Sequence, residues 1–176
     1  MNFLSIDCST ETGSLFLKVK NKTFSKVLQS DKFINDLLMK HILDFFQEND
    51  LKLDNISQIF VNQGPGNFSG LRSSLATAKG ISLSKKLKLS GYNTFLWSCS
   101  QFYNKQDIIF SFIKFREKYF MKKFNSELKS ISEIKEVLID EIVTKYKNGF
   151  KVIPKNISKH VDKEILELNN LNIVNL

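Results

Sequence analysis

The first fifty residues change from strand-like to helix-like spacing of their hydrophobic positions. Apolar residues alternate or run together over residues 3–8, 14–20 and 24–29, with tight turns between these segments. This pattern predicts three short strands joined as a β-meander. Residues 31–49 then follow helical spacing, with Asp31 as the expected N-cap. One face of this predicted helix carries Phe33, Leu37, Leu38, His41, Ile42 and Phe45.

The next fifty residues predict two more strands and a second long helix. Residues 56–63 and 88–93 are strand-like, and residues 69–86 have helical spacing. A short helix is expected over 94–104. The resulting order, β-β-β-α-β-α-β, predicts an α/β layered sheet.

The second half of the chain repeats an alternation of strands and helices. The predicted elements are strands at 107–115, 118–124 and 150–154 and helices at 130–146 and 158–170. We expect two domains, 1–105 and 106–176, although no linker rich in Pro, Gly or Ser marks a boundary near 104–107.

The chain is basic, and lysine supplies almost all of its positive charge. It has 176 residues, an apolar fraction of 42% that suffices for a packed core, and a formal net charge of +8. Arg72 and Arg116 are its two arginines, and the lysines are spread along the chain without blocks. Such a charge can attract nucleic acid, but the lack of a cluster or reading motif favours a solvated surface.

The sequence disfavours several kinds of site and location. Cys8 and Cys99 lie far apart and outside any CxxC spacing, which argues against a disulfide framework or a cysteine zinc site. No apolar run approaches the ~20 residues that a membrane span needs. The N-terminus also lacks the pattern of a signal peptide. We therefore expect a cytoplasmic protein that makes no membrane contact.

The segment GPGNFSG, here called the glycine loop (residues 64–70), joins a predicted strand to a predicted helix. Gly64 and Gly66 can take positive φ or admit a close neighbour. Ser69 can cap the helix, whose N-terminus offers free N–H groups to an anion. The loop therefore either cradles a phosphate or simply turns the chain, and its residues favour neither interpretation. Its spacing matches neither GxxxxGK[ST] nor GxGxxG.

Arg72 lies in the first turn of the predicted second helix. A cation there opposes the helix dipole at a cost of ~0.3–1 kcal/mol. This placement points to an anionic partner, which could be a carboxylate such as Asp7 or a phosphate.

The same helix carries small residues at helical spacing. They form two series, Ser74-Ala78-Ser82 and Ser73-Thr77-Gly80-Ser84. Small side chains let another helix approach closely, and the Gly of the second series costs the helix ~1 kcal/mol relative to Ala. These faces pack either inside the chain's own core or against another subunit, and both interpretations stay open.

Two motifs in the first hundred residues resemble the TsaB (YeaZ) family. IDCSTETGSLFL at 6–17 is similar to the family's N-terminal IDTSTxxxSVAL motif. QGPGNFSGLRSSLATAKGIS at 63–82 is similar to its longer GPGSFTGLRIGLATAKGLA motif. Residues 112–124 loosely resemble a stretch of the family's second lobe, in which Arg116 matches while Lys114 replaces a common aspartate.

The resemblance implies an α/β protein of the actin-like ATPase (ASKHA, ribonuclease-H-like) fold, with two lobes of which the second is reduced. It also implies a non-catalytic subunit of the bacterial machinery that forms threonylcarbamoyladenosine beside the anticodon of tRNA. The implied partners are a catalytic TsaD-like subunit, a TsaE-like ATPase and, through the complex, tRNA; a homodimer is a further form. The expected interface on the two long helices comprises Phe33, Leu37, His41, Leu71, Ser74, Leu75, Ala78 and Ser82.

The catalytic paralogue TsaD needs an HxxxH metal pair on its first helix. Here Phe33 and Leu37 lie in the corresponding part of the helix, and His41 and His160 are the two histidines of the chain. We therefore expect no metal site.

Asp7, Ser9 and Thr10 stand where actin-like ATPases hold phosphate and metal. The candidate anion site comprises Asp7, Ser9, Thr10, Gly64, Gly66, Ser69 and Arg72. The resemblance favours a turn held by local side-chain bonds and no cofactor, with ATP at a subunit interface left open. The alternative function is an ATP-binding enzyme, an ATPase or phosphotransferase, that uses the 7–10 and 64–72 segments.

Overall fold

The computed structural model describes residues 1–10, 12–28, 34–146, 149–154 and 165–168. The chain divides into two compact units, Met1–Thr94 and Phe95–Leu176. This division falls earlier than the sequence boundary near 104–107, because the short helix that follows Thr94 packs into the second unit. Phe95, Cys99 and Phe102 of this segment belong to the hydrophobic core of the second unit.

Five strands form the sheet of the first unit. They are β1 (Phe3–Asp7), β2 (Gly13–Val19), β3 (Lys22–Leu28), β4 (Gln58–Asn62) and β5 (Lys88–Tyr92). The strand order is β3-β2-β1-β4-β5. The first three strands form the predicted antiparallel meander, and β4 and β5 add to β1 in parallel. All five strands predicted for this part of the chain are confirmed.

Two long helices pack against one face of this sheet. α1 spans Ile34–Glu48 and α2 spans Phe68–Lys85, so both predicted helices are confirmed. One buried core joins the helices to the sheet, and its members include Leu4, Ile6, Leu38, Ile42, Ala78 and Ile81. The predicted N-cap Asp31 and the predicted interface residue Phe33 lie outside the described residues.

The caps of α2 differ from the expected ones. Asn67 is the N-cap, and its side-chain Oδ1 accepts the Gly70 N–H at 3.1 Å. Ser69 lies inside the first turn, so the sequence prediction of Ser69 as the cap is wrong. The helix is capped at its C-terminus by Lys86, which takes the left-handed conformation with φ of 52°. Its N–H and that of Leu87 both donate to the Ser82 carbonyl, which closes the helix end.

The described part of the second unit contains five further strands and two short helices, the first of which begins at the last residue of the first unit. The strands are β6 (Ile108–Phe115), β7 (Lys118–Asn125), β8 (Lys135–Val137), β9 (Phe150–Pro154) and β10 (Ile165–Leu168). The helices are α3 (Thr94–Cys99) and α4 (Ile139–Thr144). α3 continues as a 3-10 turn over Ser100–Phe102, and its first residue, Thr94, is the last residue of the first unit.

The two sheets share one topology. The second sheet has the order β10-β9-β6-β7-β8, so β6, β7 and β8 form an antiparallel meander and β9 and β10 add in parallel beside β6. Reading from the third strand of the meander, both sheets follow the order 3-2-1-4-5. This arrangement agrees with the two ribonuclease-H-like lobes that the resemblance implied.

Two predicted helices of the second half are wrong. The segment 130–146 contains β8 and the six-residue α4. β8 is a strand because it pairs with β7, for instance Val137 with Tyr119, and this pairing overrides the local helical spacing. The segment predicted as a last helix, 158–170, contains β10, which pairs with β9; its other residues lie outside the described ones.

Candidate functional site

The glycine loop lies directly on the segment that follows β1. Asn67 N–H donates to the Ser9 carbonyl at 2.6 Å. A Cβ on Gly66 would overlap Ser9, and a Cβ on Gly70 would overlap the Cys8 carbonyl. These two glycines are therefore required because the chain's own backbone passes at those points.

The carboxylate of Asp7, at the end of β1, accepts three hydrogen bonds from the chain. Its Oδ1 accepts the Ser9 N–H at 2.8 Å, and its Oδ2 accepts Asn62 Nδ2 at 2.9 Å. The Tyr92 hydroxyl donates to the same Oδ2 at 3.4 Å. Burial, followed by the Asp7 charge, raises the pKa of Tyr92 well above its ordinary value, so the phenol keeps the proton that it donates.

Asn62 links this carboxylate to the glycine loop. Its side chain is buried at the end of β4, and its Oδ1 accepts the Gly64 N–H at 2.8 Å. Gly64 has a φ of 92°, which side chains of L-residues rarely adopt. The Thr94 hydroxyl donates to the Pro65 carbonyl at 2.8 Å, which provides a second hydrogen bond at the start of the loop.

Asn62, Tyr92 and Thr94 were missed by the sequence analysis. A signal for them exists, because Asn62 and Tyr92 close β4 and β5, which run parallel to β1. The carboxyl ends of parallel strands meet at one edge of a sheet, where Asp7 also lies. Recognising this edge requires the strand order, which the sequence analysis did not have.

The structure brings together only part of the predicted anion set. Asp7, Ser9, Gly64 and Gly66 lie at the shared edge of β1 and β4. Thr10 is exposed, and its hydroxyl donates to the Thr12 carbonyl at 2.6 Å. The exposed Ser69 and Arg72 lie on α2. The local turn bonds expected for residues 9–12 are thus present.

Arg72 contacts an aromatic ring. Its guanidinium carbon lies 5.3 Å from the centre of the Phe68 ring, one helical turn earlier. Such a contact contributes about 0.5–1 kcal/mol at an exposed site. The bonds that Asp7 accepts among the described residues come from Ser9, Asn62 and Tyr92, so Asp7, one of the two anionic partners that the sequence left open for Arg72, is engaged elsewhere.

The first series of small residues on α2 faces the interior of its own unit. Ser74 and Ala78 are fully buried, and Ala78 belongs to the core beneath the helix. A fully buried side chain cannot contact a partner, so the prediction of these two residues as interface is corrected to a packing role. Four other predicted interface residues are half-buried, namely His41, Leu71, Leu75 and Ser82.

The exposed side of α2 carries a different line of residues, here called the outer stripe: Phe68, Arg72, Ala76, Gly80 and Leu83. Phe68 is 66% exposed and Leu83 is 82% exposed. Apart from its chain neighbours and the backbone of its own helix, no atom of the described residues lies within 4 Å of the position that a Cβ on Gly80 would occupy. The neighbouring α1 adds three exposed apolar side chains, Leu37, Met39 and Leu43. The outer stripe was largely missed because exposure depends on which face the sheet covers.

Among the described residues, no three His, Cys, Asp or Glu side chains are grouped so that they could hold a metal ion. Cys8 and Cys99 are buried free thiols. Burial, with a smaller contribution from Asp7, raises the pKa of Cys8 to about 12, so this thiol stays protonated. Within the same part of the chain, no helix is long and apolar enough to cross a membrane.

Comparison with known proteins gives matches of two kinds in sequence. A model of the TsaD family, the tRNA N6-adenosine threonylcarbamoyltransferases, matches residues 30–110. The tRNA threonylcarbamoyladenosine biosynthesis protein TsaB of Buchnera aphidicola (subspecies Baizongia pistaciae) is 31% identical over 106 residues. That match covers 60% of this chain and 48% of the relative, so the chain matches about half the length of that protein.

Two solved structures resemble the fold. YeaZ from Pseudomonas aeruginosa aligns with a TM-score of 0.66 at 17% identity and covers 77% of this chain and 67% of its own. A protein described as similar to peptidase YeaZ from Pseudomonas aeruginosa aligns with a TM-score of 0.76 at 14% identity, over 97% of this chain and 85% of its own. These likenesses confirm the predicted fold class.

Proposed function

We propose, on the premise that the chain is a TsaB (YeaZ) family protein, that it is a non-catalytic scaffold subunit in the formation of threonylcarbamoyladenosine on tRNA. The two sequence motifs, the Buchnera relative and the TsaD-type match support that premise. In this role the chain pairs with a catalytic TsaD-type subunit in the cytoplasm. A TsaE-type ATPase and tRNA join through the complex. The observation that carries the proposal is the outer stripe of α2.

The outer stripe has the composition of a contact surface. Phe68 and Leu83 each leave a large apolar side chain in water near one end of α2, and the burial of such side chains favours association. Between them, Ala76 and Gly80 leave the helix backbone accessible. A helix of a partner could therefore approach α2 closely at Gly80 and bury the neighbouring Leu83.

The extent of the TsaD-type match supports a partner of that kind. The match spans residues 30–110, which include all of α1 and α2. A TsaD-type protein therefore carries the counterpart of this helix pair, and two similar pairs can pack with their helices facing each other. The same surface would pair two copies of this chain when no partner is present.

Gly80→Glu tests the proposed surface without disturbing the fold. The new side chain enters space that the rest of the chain leaves open, and Glu has a higher helix propensity than Gly, so we expect stability to be unchanged or raised by up to ~1 kcal/mol. A charge buried unpaired at this close approach should weaken pairing with the cognate TsaD-type protein about tenfold or more. Co-purification and calorimetry of the two subunits measure this effect.

Leu138→Glu provides the control, because Leu138 is also exposed, at 69%, but lies in the second unit. We expect this variant to pair like the wild type. Normal pairing by Gly80→Glu would remove the outer stripe from the interface. Absence of any complex with the wild-type chain, under conditions that detect known pairs, would contradict the scaffold function itself.

A further inference from the structure

We infer that Asp7 and Asn62 form a clamp that holds the glycine loop and the first turn of α2 on the ends of β1 and β4. The sequence left a phosphate site open at this position. The clamp is the carboxylate–amide hydrogen bond between the two side chains, 2.9 Å long, together with the donors that surround it. Its effect on partner binding rests on the function proposed above. Its effect on the loop does not.

Four backbone donors in and beside the glycine loop are already used by the chain. Ser9 N–H donates to Asp7 Oδ1, and Gly64 N–H donates to Asn62 Oδ1. In the glycine loop, Asn67 N–H donates to the Ser9 carbonyl and Gly70 N–H donates to the Asn67 side chain. A phosphate cradle works by offering free N–H groups to the ligand. These four amides are not free, so a phosphate that bound them would have to break the loop's own bonds.

The space for a ligand is also taken by the backbone. Cβ atoms at Gly66 and Gly70 would overlap the Ser9 and Cys8 backbone, so the two segments touch at both points. An anion between them requires the glycine loop to separate from β1. The occupied amides and the close packing both favour a structural strand-to-helix turn over a phosphate cradle in the glycine loop.

The orientation of Asn62 is set by its partners. Its Oδ1 must accept from Gly64 N–H, so its Nδ2 must point at Asp7. The Asp7 side chain must in turn present an oxygen to Ser9 N–H. In their shared hydrogen bond Asn62 can therefore only donate and Asp7 can only accept. An exchange of the two side chains tests this assignment directly.

The clamp also positions the surface proposed to bind the partner. The outer stripe begins at Phe68, directly after the N-cap Asn67 of α2. Movement of the glycine loop therefore moves the first residues of the stripe. Asp7 acts as a positioning residue for that surface through Asn62 and the loop.

Exchanging the two side chains tests the clamp. In Asp7→Asn, two amide NH2 groups face each other, and in Asn62→Asp two carboxylates do so. The double variant Asp7→Asn/Asn62→Asp restores one donor facing one acceptor. We expect amide hydrogen exchange in residues 63–72 to accelerate about tenfold or more in each single variant, since a buried polar group loses its partner. Exchange should return towards the wild-type rate in the double variant.

A control and a milder variant keep the test decisive. Ser90→Ala removes the 2.8 Å bond from Gln58 to Ser90, which also joins β4 to β5 but lies away from the loop, and should leave exchange in 63–72 unchanged. If a single variant does not fold, Tyr92→Phe removes the 3.4 Å bond to Asp7 together with the 3.3 Å bond to Ser5 Oγ, and it should accelerate exchange in the same segment by a smaller factor. Unchanged exchange in the folded variants, or a double variant no better than the singles, would overturn the clamp.

Two further measurements separate this inference from its alternatives. Calorimetry of the wild-type chain with inorganic phosphate and with MgATP should give no binding; binding that Asp7→Asn removes would overturn the clamp in favour of an anion site. Affinity for the TsaD-type protein should fall in the single variants and recover in the double variant. If the wild-type chain binds no such partner, the proposed function fails while the exchange result still decides the clamp. If the single variants bind as well as the wild type, the positioning role fails.

Discussion

The two faces of α2 carry similar small residues and have opposite surroundings. Ser74 and Ala78 lie in the core beneath the helix, with no exposed surface. Ala76 and Gly80, two residues further along in each case, lie on the outer stripe in contact with solvent. Residue size is therefore a poor guide to role on this helix, because the same small side chain serves close packing on one face and accessibility on the other.

The buried face explains why small residues are needed inside. The Ser74 hydroxyl donates to the Leu71 carbonyl at 3.1 Å, so its polar atom is satisfied within the helix. Ala78 shares its core with Ile59 and Val61 of β4. A larger side chain at either position would push the helix away from the sheet.

Substitution by arginine on each face should show the largest contrast. Ala78→Arg is expected to lower the free energy of unfolding by about 4 kcal/mol or more, because it overpacks the core and buries an unpaired charge. Ala76→Arg makes the same chemical change on the outer stripe and should alter stability by less than about 0.5 kcal/mol. Urea denaturation of both variants measures the difference. Equal midpoints would show that the two faces are not distinguished by burial.

Substitution of glycine by alanine sharpens the comparison with the smallest possible change. Gly70→Ala should cost roughly 1–3 kcal/mol, because its Cβ overlaps the Cys8 carbonyl and the backbone must shift. Gly80→Ala should instead stabilise the chain by up to ~1 kcal/mol, since its Cβ meets nothing and Ala has the higher helix propensity. Thermal unfolding of the two variants should therefore shift in opposite directions. A stabilised Gly70→Ala variant would contradict the close approach of the glycine loop to β1.

The smallest expected effect concerns the cap that starts α2. Asn67→Ala should destabilise the chain by ~1 kcal/mol, because the Gly70 N–H loses its side-chain acceptor. Ser69→Ala should change stability little, since Ser69 is exposed inside the first turn. Denaturation midpoints of the two variants measure the difference. A larger loss of stability in Ser69→Ala would indicate that Ser69, the residue that the sequence favoured, is the N-cap.

The first unit was predicted well because its signals are local. Strands β1 to β5 and helices α1 and α2 each have a clear period, and turn residues separate them. The turn at Gly64 to Gly70 was also located correctly. Its interpretation stayed open, because free and occupied N–H groups look the same in a sequence.

The second unit was predicted less well because pairing over long distances overrides local spacing. Residues 130–146 have helical spacing, yet Lys135–Val137 forms an edge strand beside β7. The repeated strand order of the two sheets was likewise hidden, since it lies in the pairing and not in residue identity.

The sequence by itself determined the order of elements in the first unit, the glycines at the strand-to-helix turn and the resemblance to one family. These features depend on neighbours within a few positions or on a motif that can be matched letter by letter. The tertiary structure decided what each residue faces. It bonded the Gly64 N–H to Asn62 and the Asn67 N–H to the Ser9 carbonyl, and it placed Arg72 against the Phe68 ring. It also turned Ala78 inward and Gly80 outward. Burial and hydrogen-bond partners come from segments distant in the chain, so only the folded arrangement could assign them.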